Sequence, residues 1–133
     1  MTWPEEVEQI TAACLARNVD PCFVAAIRKA ENGSPGREFG ILLESAPDYT
    51  TQLAGCCATV RNNLARYVGN PCRREPSLSG RPPRLIYSDE FVEWFGKRYC
   101  PPSADPINVN WFGNVRAWYT RFRSEGLMLT GKA

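Results

Sequence analysis

Between Asp20 and Gly33 the chain specifies a helix whose two ends and one buried face are set by its own residues, and the remaining segments must cover that face. Asp20 is a good N-cap, Pro21 suits the first helical position, and Asn32-Gly33 tolerates the left-handed conformation in which helices often stop. Phe23, Ala26, Ile27 and Ala30 recur at i, i+3, i+4 and i+7 and form one apolar stripe, and Glu31, one residue further, continues it. A core-facing helix therefore ends in an acid. The negative end of the helix dipole disfavours another negative charge in the last turn, and desolvation at the core edge disfavours the ionised form. Both influences favour the protonated carboxyl, the form a general acid requires at neutral pH. The competing arrangement turns Glu31 outward to Arg28, Arg37 or solvent.

The segments on either side supply the cover. A first helix opens at Thr2, whose spacing to Glu5 makes a capping box, with Pro4 in the first turn and Val7, Ile10 and Cys14 on the buried side. Only Asn18-Val19 separates it from the Asp20 cap, so the first two helices are expected to be close neighbours. From Gly33 to Ala46 three glycines, a proline and no helical period predict a turn with a short extended piece, at most a residual β-hairpin. Ser45 is read as the cap of a third helix, with Pro47 and Asp48 in its first turn, running to Val68 and stopped by Gly69-Asn70-Pro71. Its apolar face is Leu53, Cys57, Val60, Leu64 and Tyr67, and it is expected to pack with the Asp20 helix around the Glu31 end.

Residues 70–87, NPCRREPSLSGRPPRLIY, read as a long connection, with Arg73 and Arg74 either rimming an anion site or simply solvated. Ser88 caps a fourth helix bearing Asp89 and Glu90 in its first turn and Phe91, Trp94 and Phe95 on its stripe, ended by Cys100-Pro101-Pro102. A last helix begins near Asn108 or Asn110, with Trp111, Val115, Trp118 and Phe122 inward and Arg116, Arg121 and Arg123 in its later turns; the tail after Gly126 is expected to fray. The expected fold is a single mainly α domain over all 133 residues, with about five helices and at most a residual β-hairpin.

Composition narrows the chemistry. The chain contains no histidine, which removes Ser-His-Asp and Cys-His mechanisms and disfavours zinc, and no cofactor is expected. Six cysteines, two of them adjacent at Cys56-Cys57, make a poor disulfide framework, so Cys14, Cys22 and Cys57 are read as buried reduced thiols. The acidic, amphipathic start MTWPEEVEQ lacks the features of a secretory signal, and no apolar run reaches membrane-spanning length. The chain is accordingly expected to be cytoplasmic as synthesised, which is compatible with phage or virion association. Asn32-Gly33-Ser34 matches a glycosylation acceptor in form and is read as a turn.

An apolar helix, an acid at its end, a glycine-rich turn and then Phe39-Gly40-Ile41-Leu42 together resemble the lysozyme-like superfamily, especially goose-type lysozymes and soluble lytic transglycosylases. There a helix-terminal Glu precedes a Gly-Leu-Met-Gln-like segment. The resemblance covers the first half of the chain and, in the second half, only the helical layout. It implies a peptidoglycan-cleaving activity on the β-1,4 bond between amino sugars, with Glu31 as catalytic acid and Gly40-Ile41-Leu42 starting the wall of the sugar cleft. This chain differs in having Asn32 where Ser is common after the acid, Leu42-Leu43 in place of Met-Gln, and no Ala-Tyr-Asn motif downstream.

Trp94, Trp111, Trp118, Tyr87 and Tyr119 have two readings, as sugar-stacking aromatics or as core. Helical spacing favours core for Trp94 and Trp118. Tyr87 and Tyr119 are the better candidates to face substrate, because each can bury a ring and present a hydroxyl; a Tyr near the acid is also found in the enzymes resembled. A two-carboxylate glycosidase would need a partner for Glu31 among Glu38, Glu44 and Asp48, within roughly 10 Å across the cleft. A single acid assisted by the substrate's own acetamido group is favoured, because the resembled enzymes work that way. The expected partner is peptidoglycan or a related amino-sugar glycan, bound by a monomer. A non-catalytic glycan-binding or structural protein keeping the same shell is the alternative. Nucleic-acid binding rests only on an arginine excess, with net charge +2 and no recognisable motif.

Overall fold

The computed structural model describes residues 1–33, 37–41, 48–75, 84–99 and 110–127. In chain order these form α1 (Trp3–Ala16), α2 (Pro21–Glu31), α3 (Tyr49–Arg66), β1 (Cys72–Arg74), β2 (Leu85–Tyr87), α4 (Asp89–Tyr99) and α5 (Trp111–Glu125). The fold is mainly α with one small antiparallel sheet. None of the described helices is long and apolar enough to cross a membrane.

The helix ends follow the sequence closely where a capping side chain is present. Thr2 and Glu5 exchange both bonds of a capping box, the Asp20 carboxylate accepts from the Cys22 N–H at 2.9 Å, and the Ser88 hydroxyl accepts from the Phe91 N–H at 3.1 Å. Asn32 ends α2 in the left-handed region at φ 45°. The third helix starts later than expected. Asp48 is its cap rather than a first-turn residue, accepting from the Thr51 N–H at 2.7 Å, while Ser45 lies outside the described residues. Asn110 stands at the start of α5 without a side-chain cap bond. The Leu127 carbonyl accepts from the Trp3 indole at 2.8 Å, and the tail beyond it lies outside the described residues.

The sheet of the described residues lies after α3, and most of the glycine-rich turn, residues 34–36 and 42–46, lies outside the described residues. Gly33 and residues 37–41 contain no strand; the strands arise from the 70–87 connection, pairing Cys72 with Tyr87, Arg73 with Ile86 and Arg74 with Leu85. Strands of three residues are too short to display a period of two, so pairing across the connection, rather than local pattern, creates them. Glu75 N–H to the Arg84 carbonyl (2.7 Å) and Ser88 N–H to the Pro71 carbonyl (2.8 Å) continue the bonding at both ends.

The core is built on α2, whose residues Phe23 to Ile27 are all buried, so the helix is covered on more sides than its stripe predicts. The Phe23 ring meets Tyr87, Phe95 and Tyr119 edge-on, at centroid distances of 5.1, 5.4 and 5.4 Å. The principal partner of α2 is α5, not the expected α3. The first residue of α5, Trp111, reaches Glu31 at the end of α2, and Tyr119 and Arg123 further along α5 reach Asp20 at its start, so the two helices run antiparallel. α1 lies beside α2 as the short Asn18-Val19 break implied. Cys14, Cys22, Cys56, Cys57 and Cys72 are free thiols, with Cys14, Cys56 and Cys57 buried and Cys22 half-buried.

Asp20 carries two tasks through different atoms. Oδ1 caps α2, and Oδ2 accepts from the Tyr119 hydroxyl at 2.6 Å with the Arg123 guanidinium at 3.5 Å. Asp20→Ala is expected to lower the unfolding free energy by about 3 kcal/mol, the sum of a lost cap and a buried hydroxyl left without its acceptor. Asp20→Asn, which keeps a cap, is expected to lose less. Urea titrations of the three proteins, with a shifted midpoint at constant slope, check this.

Candidate active site

Glu31 ends α2 half-buried, and its carboxyl turns inward: Oε2 accepts a hydrogen bond from the Trp111 indole N–H at 3.0 Å. Burial drives its pKa above the ordinary carboxylate value, and the indole N–H, which favours the ionised form, opposes this without cancelling it. The two cations of the last turn are directed elsewhere. Arg28 pairs with Glu6 at 2.7 Å, an acid that also accepts from the Tyr49 hydroxyl at 2.9 Å, and the Lys29 ammonium sits 4.1 Å from the Trp3 ring centroid. The outward arrangement of Glu31 on Arg28 is thus replaced by a carboxyl in an apolar, aromatic setting. Cys56, buried close by, adds no charge, since burial pushes its thiol pKa up.

Two glycines shape the space around this carboxyl. Gly40 has φ +75°, and a Cβ there would stand 2.6 Å from the Glu31 carboxyl carbon and Oε1, so the backbone itself forms the facing wall. Gly96 of α4 does the same for Trp111: a Cβ at Gly96 would lie 2.6 Å from the indole ring. Phe95 and Tyr99 flank that indole at centroid distances of 5.9 and 6.0 Å.

Segment 39–41 is held from two helices. The buried Gln52 amide of α3 accepts from the Phe39 and Ile41 N–H groups at 3.2 and 3.3 Å and donates to the Ile41 carbonyl at 2.7 Å. From α4 the Tyr99 hydroxyl donates to the Phe39 carbonyl. An irregular segment with buried backbone groups needs such partners, and one glutamine serves three of them.

The residues singled out by sequence divide into several groups. Glu31 and Gly40 are in contact, and Ile41 adjoins them, half-buried, with its side-chain end over Gly55 of α3. Leu42 and Glu44 lie outside the described residues. Asp48 is exposed and engaged as the α3 cap, which holds its pKa down. Glu38 is buried and lines a hollow of about 200 Å³ with Glu6, Arg28, Gly33 and Tyr49.

Tyr87 and Tyr119 do not face Glu31. Both are buried at the other end of α2: Asp20 N–H donates to the Tyr87 hydroxyl at 2.9 Å, and the Tyr119 hydroxyl donates to Asp20 Oδ2. Eleven helical residues separate the two ends, about 16 Å at 1.5 Å per residue. The hollows there, of about 490 and 240 Å³, are lined by Tyr87 and Arg123, and Glu31 lines neither. Trp94 and Trp118 are half-buried at the core margin, Trp94 edge-on to Tyr67 and Trp118 stacked on Phe122.

Gln52, Gly96 and Tyr99 are the residues that sequence reasoning missed, and Trp111 acquires a role beyond stacking or packing. Gln52 interrupts an apolar stripe, beside Leu53, and that is the one local signal available. Among the described residues no three His, Cys, Asp or Glu side chains gather as metal ligands would. No family model, curated protein or solved structure matches this chain.

Gly40→Ala is expected to be strained in both backbone and side chain, destabilising the protein by about 1–3 kcal/mol and displacing the Glu31 carboxyl. Gly113, exposed in α5 with open space around it, is the control: Gly113→Ala is expected to be neutral or to stabilise by up to about 1 kcal/mol. Thermal melts of the pair against the parent protein test the contrast.

Proposed function

We propose that this chain is a peptidoglycan-cleaving glycosidase or lytic transglycosylase acting on the β-1,4 bond between amino sugars, with Glu31 as general acid and then general base. The observation that carries the reading is the Glu31 carboxyl itself, desolvated at a helix end, facing glycine backbone, with no cation among the described residues paired to it and one indole N–H to orient it. A carboxyl whose pKa is raised by burial keeps its proton further toward neutral pH, as protonation of a leaving oxygen demands.

The single-acid mechanism, by which the resembled enzymes work, is supported by the engagement of Asp48 as the α3 cap and by the place of Glu38 in a separate hollow that Glu31 does not line. In that scheme the Glu31 proton passes to the glycosidic oxygen as the C1–O bond breaks, and the oxygen of the substrate's 2-acetamido group bonds to C1. The Glu31 carboxylate then takes a proton from the nucleophile that displaces the acetamido oxygen, either water or the sugar's own 6-hydroxyl, and the acid is restored. An acetamido sugar is thereby the substrate class this site suits, since the chain need not supply a second carboxylate.

Glu31→Gln is expected to abolish release of soluble fragments from purified peptidoglycan while leaving the thermal midpoint at pH 7 unchanged or higher. The stability difference has a defined pH dependence. Because the folded-state pKa is raised, the parent protein is on equal terms with the variant below the unfolded Glu pKa of about 4.3, and loses stability relative to it as pH rises through the folded value. Fragment-release assays with melts from pH 3 to 8 check both arms; equal activity of the two proteins would refute the assignment.

A further inference from the structure

We propose that Trp111 is the positioning residue of the Glu31 carboxyl, fixing one oxygen through its indole N–H and holding the charge that remains when the proton leaves; this role in catalysis rests on the glycosidase reading above. Three observations converge on it. The indole N–H meets Oε2 at 3.0 Å across a sequence separation of 80 residues. The indole has a seat prepared in α4, where Gly96 leaves room for its face and Phe95 and Tyr99 close its sides. The same Tyr99 donates to the Phe39 carbonyl, next to the Gly40 backbone that faces the other side of the carboxyl.

Glu31 is therefore enclosed by a circuit running Trp111, Tyr99, Phe39, Gly40, with α4 as the platform on which both walls are set. The chemistry explains why an N–H donor is suited to this position. An acid that must also serve as a base passes through its carboxylate, and burial without a donor would leave that carboxylate unsolvated. An indole N–H stabilises the ionised form and cannot exchange charge with it, since Trp Nε1 is a donor only. Oε2 is thus committed to the indole in both protonation states, and Oε1, on the Gly40 side, is the oxygen left to carry the proton. That proton passes from Oε1 to the leaving oxygen; the indole proton stays on nitrogen throughout.

Two lines of measurement test the role, and they fail separately from the glycosidase reading. In the first, the indole N–H resonances of ¹⁵N-labelled protein are followed from pH 3 to 8. The four tryptophans give four resonances, and Trp111 is assigned by Trp111→Phe or, should that variant not fold, by elimination from variants of Trp3, Trp94 and Trp118. The Trp111 resonance is expected to titrate with a midpoint above the ordinary carboxylate range, and the titration is expected to vanish in Glu31→Gln. A Trp111 resonance that ignores pH, or that titrates unchanged in Glu31→Gln, overturns the inference whether or not the protein cleaves any wall.

In the second, Trp111→Phe is expected to lower kcat by about tenfold or more, to move the alkaline limb of the kcat/KM profile to higher pH, and to leave KM little changed. Gly96→Ala, which displaces the indole without removing it, is expected to shift the limb the same way. A uniform fall in kcat with the limb unmoved would mark a merely structural role and overturn the inference. A Glu31-linked indole titration in a protein inactive on every wall type tested would instead overturn the enzymatic reading, and with it the catalytic role of Trp111, while leaving the hydrogen bond established.

Discussion

The antiparallel pairing of α2 with α5 is the constraint on which the rest of the structure depends. It is pinned at both ends by hydrogen bonds to carboxylates, Trp111 to Glu31 at one end and Tyr119 to Asp20 at the other. Between the pins α2 is buried from Phe23 to Ile27, so its position is set by packing over its middle and by directional bonds at its ends. Packing alone is tolerant of small slides and rotations, because apolar contact is non-directional. The two bonds remove that tolerance. A slide of one residue along α2, about 1.5 Å, would break both together.

The arrangement also determines which other elements approach the site. With α5 along one flank of α2, α3 reaches the Glu31 region through Gln52 and Cys56 rather than through a continuous helix interface, and α4 reaches it through Gly96 and Tyr99. Each approach is made by a residue whose size is fixed by its task. Gly96 has to be small for the indole to lie flat, Gly40 has to be glycine for both its φ and its contact, and Gln52 has to present a donor and an acceptor together. Substitution by a residue of similar hydropathy would satisfy none of these requirements.

How much of this was legible in the sequence follows from the range of the forces involved. Helix caps act over three residues, and Thr2, Asp20, Asn32 and Ser88 declare themselves without help from the rest of the chain. The local stripe placed Glu31 at the core edge but left its inward and outward turns both open, because the indole N–H that receives the inward carboxyl comes from 80 residues away. The strand pair of the 70–87 connection was not legible, because it joins Cys72 to Tyr87 across a stretch with no pattern of its own. Tyr87 and Tyr119 looked like cleft residues because an amphipathic ring with a hydroxyl is equally suited to a buried acceptor, and only the fold reveals that Asp20 is that acceptor. Gln52 and Gly96 were invisible as site residues because what they accommodate, segment 39–41 and the Trp111 ring, is distant in sequence. Asp48 was seen and its role misjudged, as cap and first-turn acid differ by a single residue in register.

The two acids that bound α2 occupy opposite settings built from the same pair of helices. Asp20 stands at the N-terminus, its oxygens divided between a cap and a phenol, with the Arg123 guanidinium at 3.5 Å. Glu31 stands at the C-terminus, where the dipole opposes its charge, with Arg28 drawn away to Glu6 and an indole as its donor. The polarity of α2 together with the antiparallel course of α5 thus sets a capping carboxylate at one end of the helix and a desolvated carboxyl at the other.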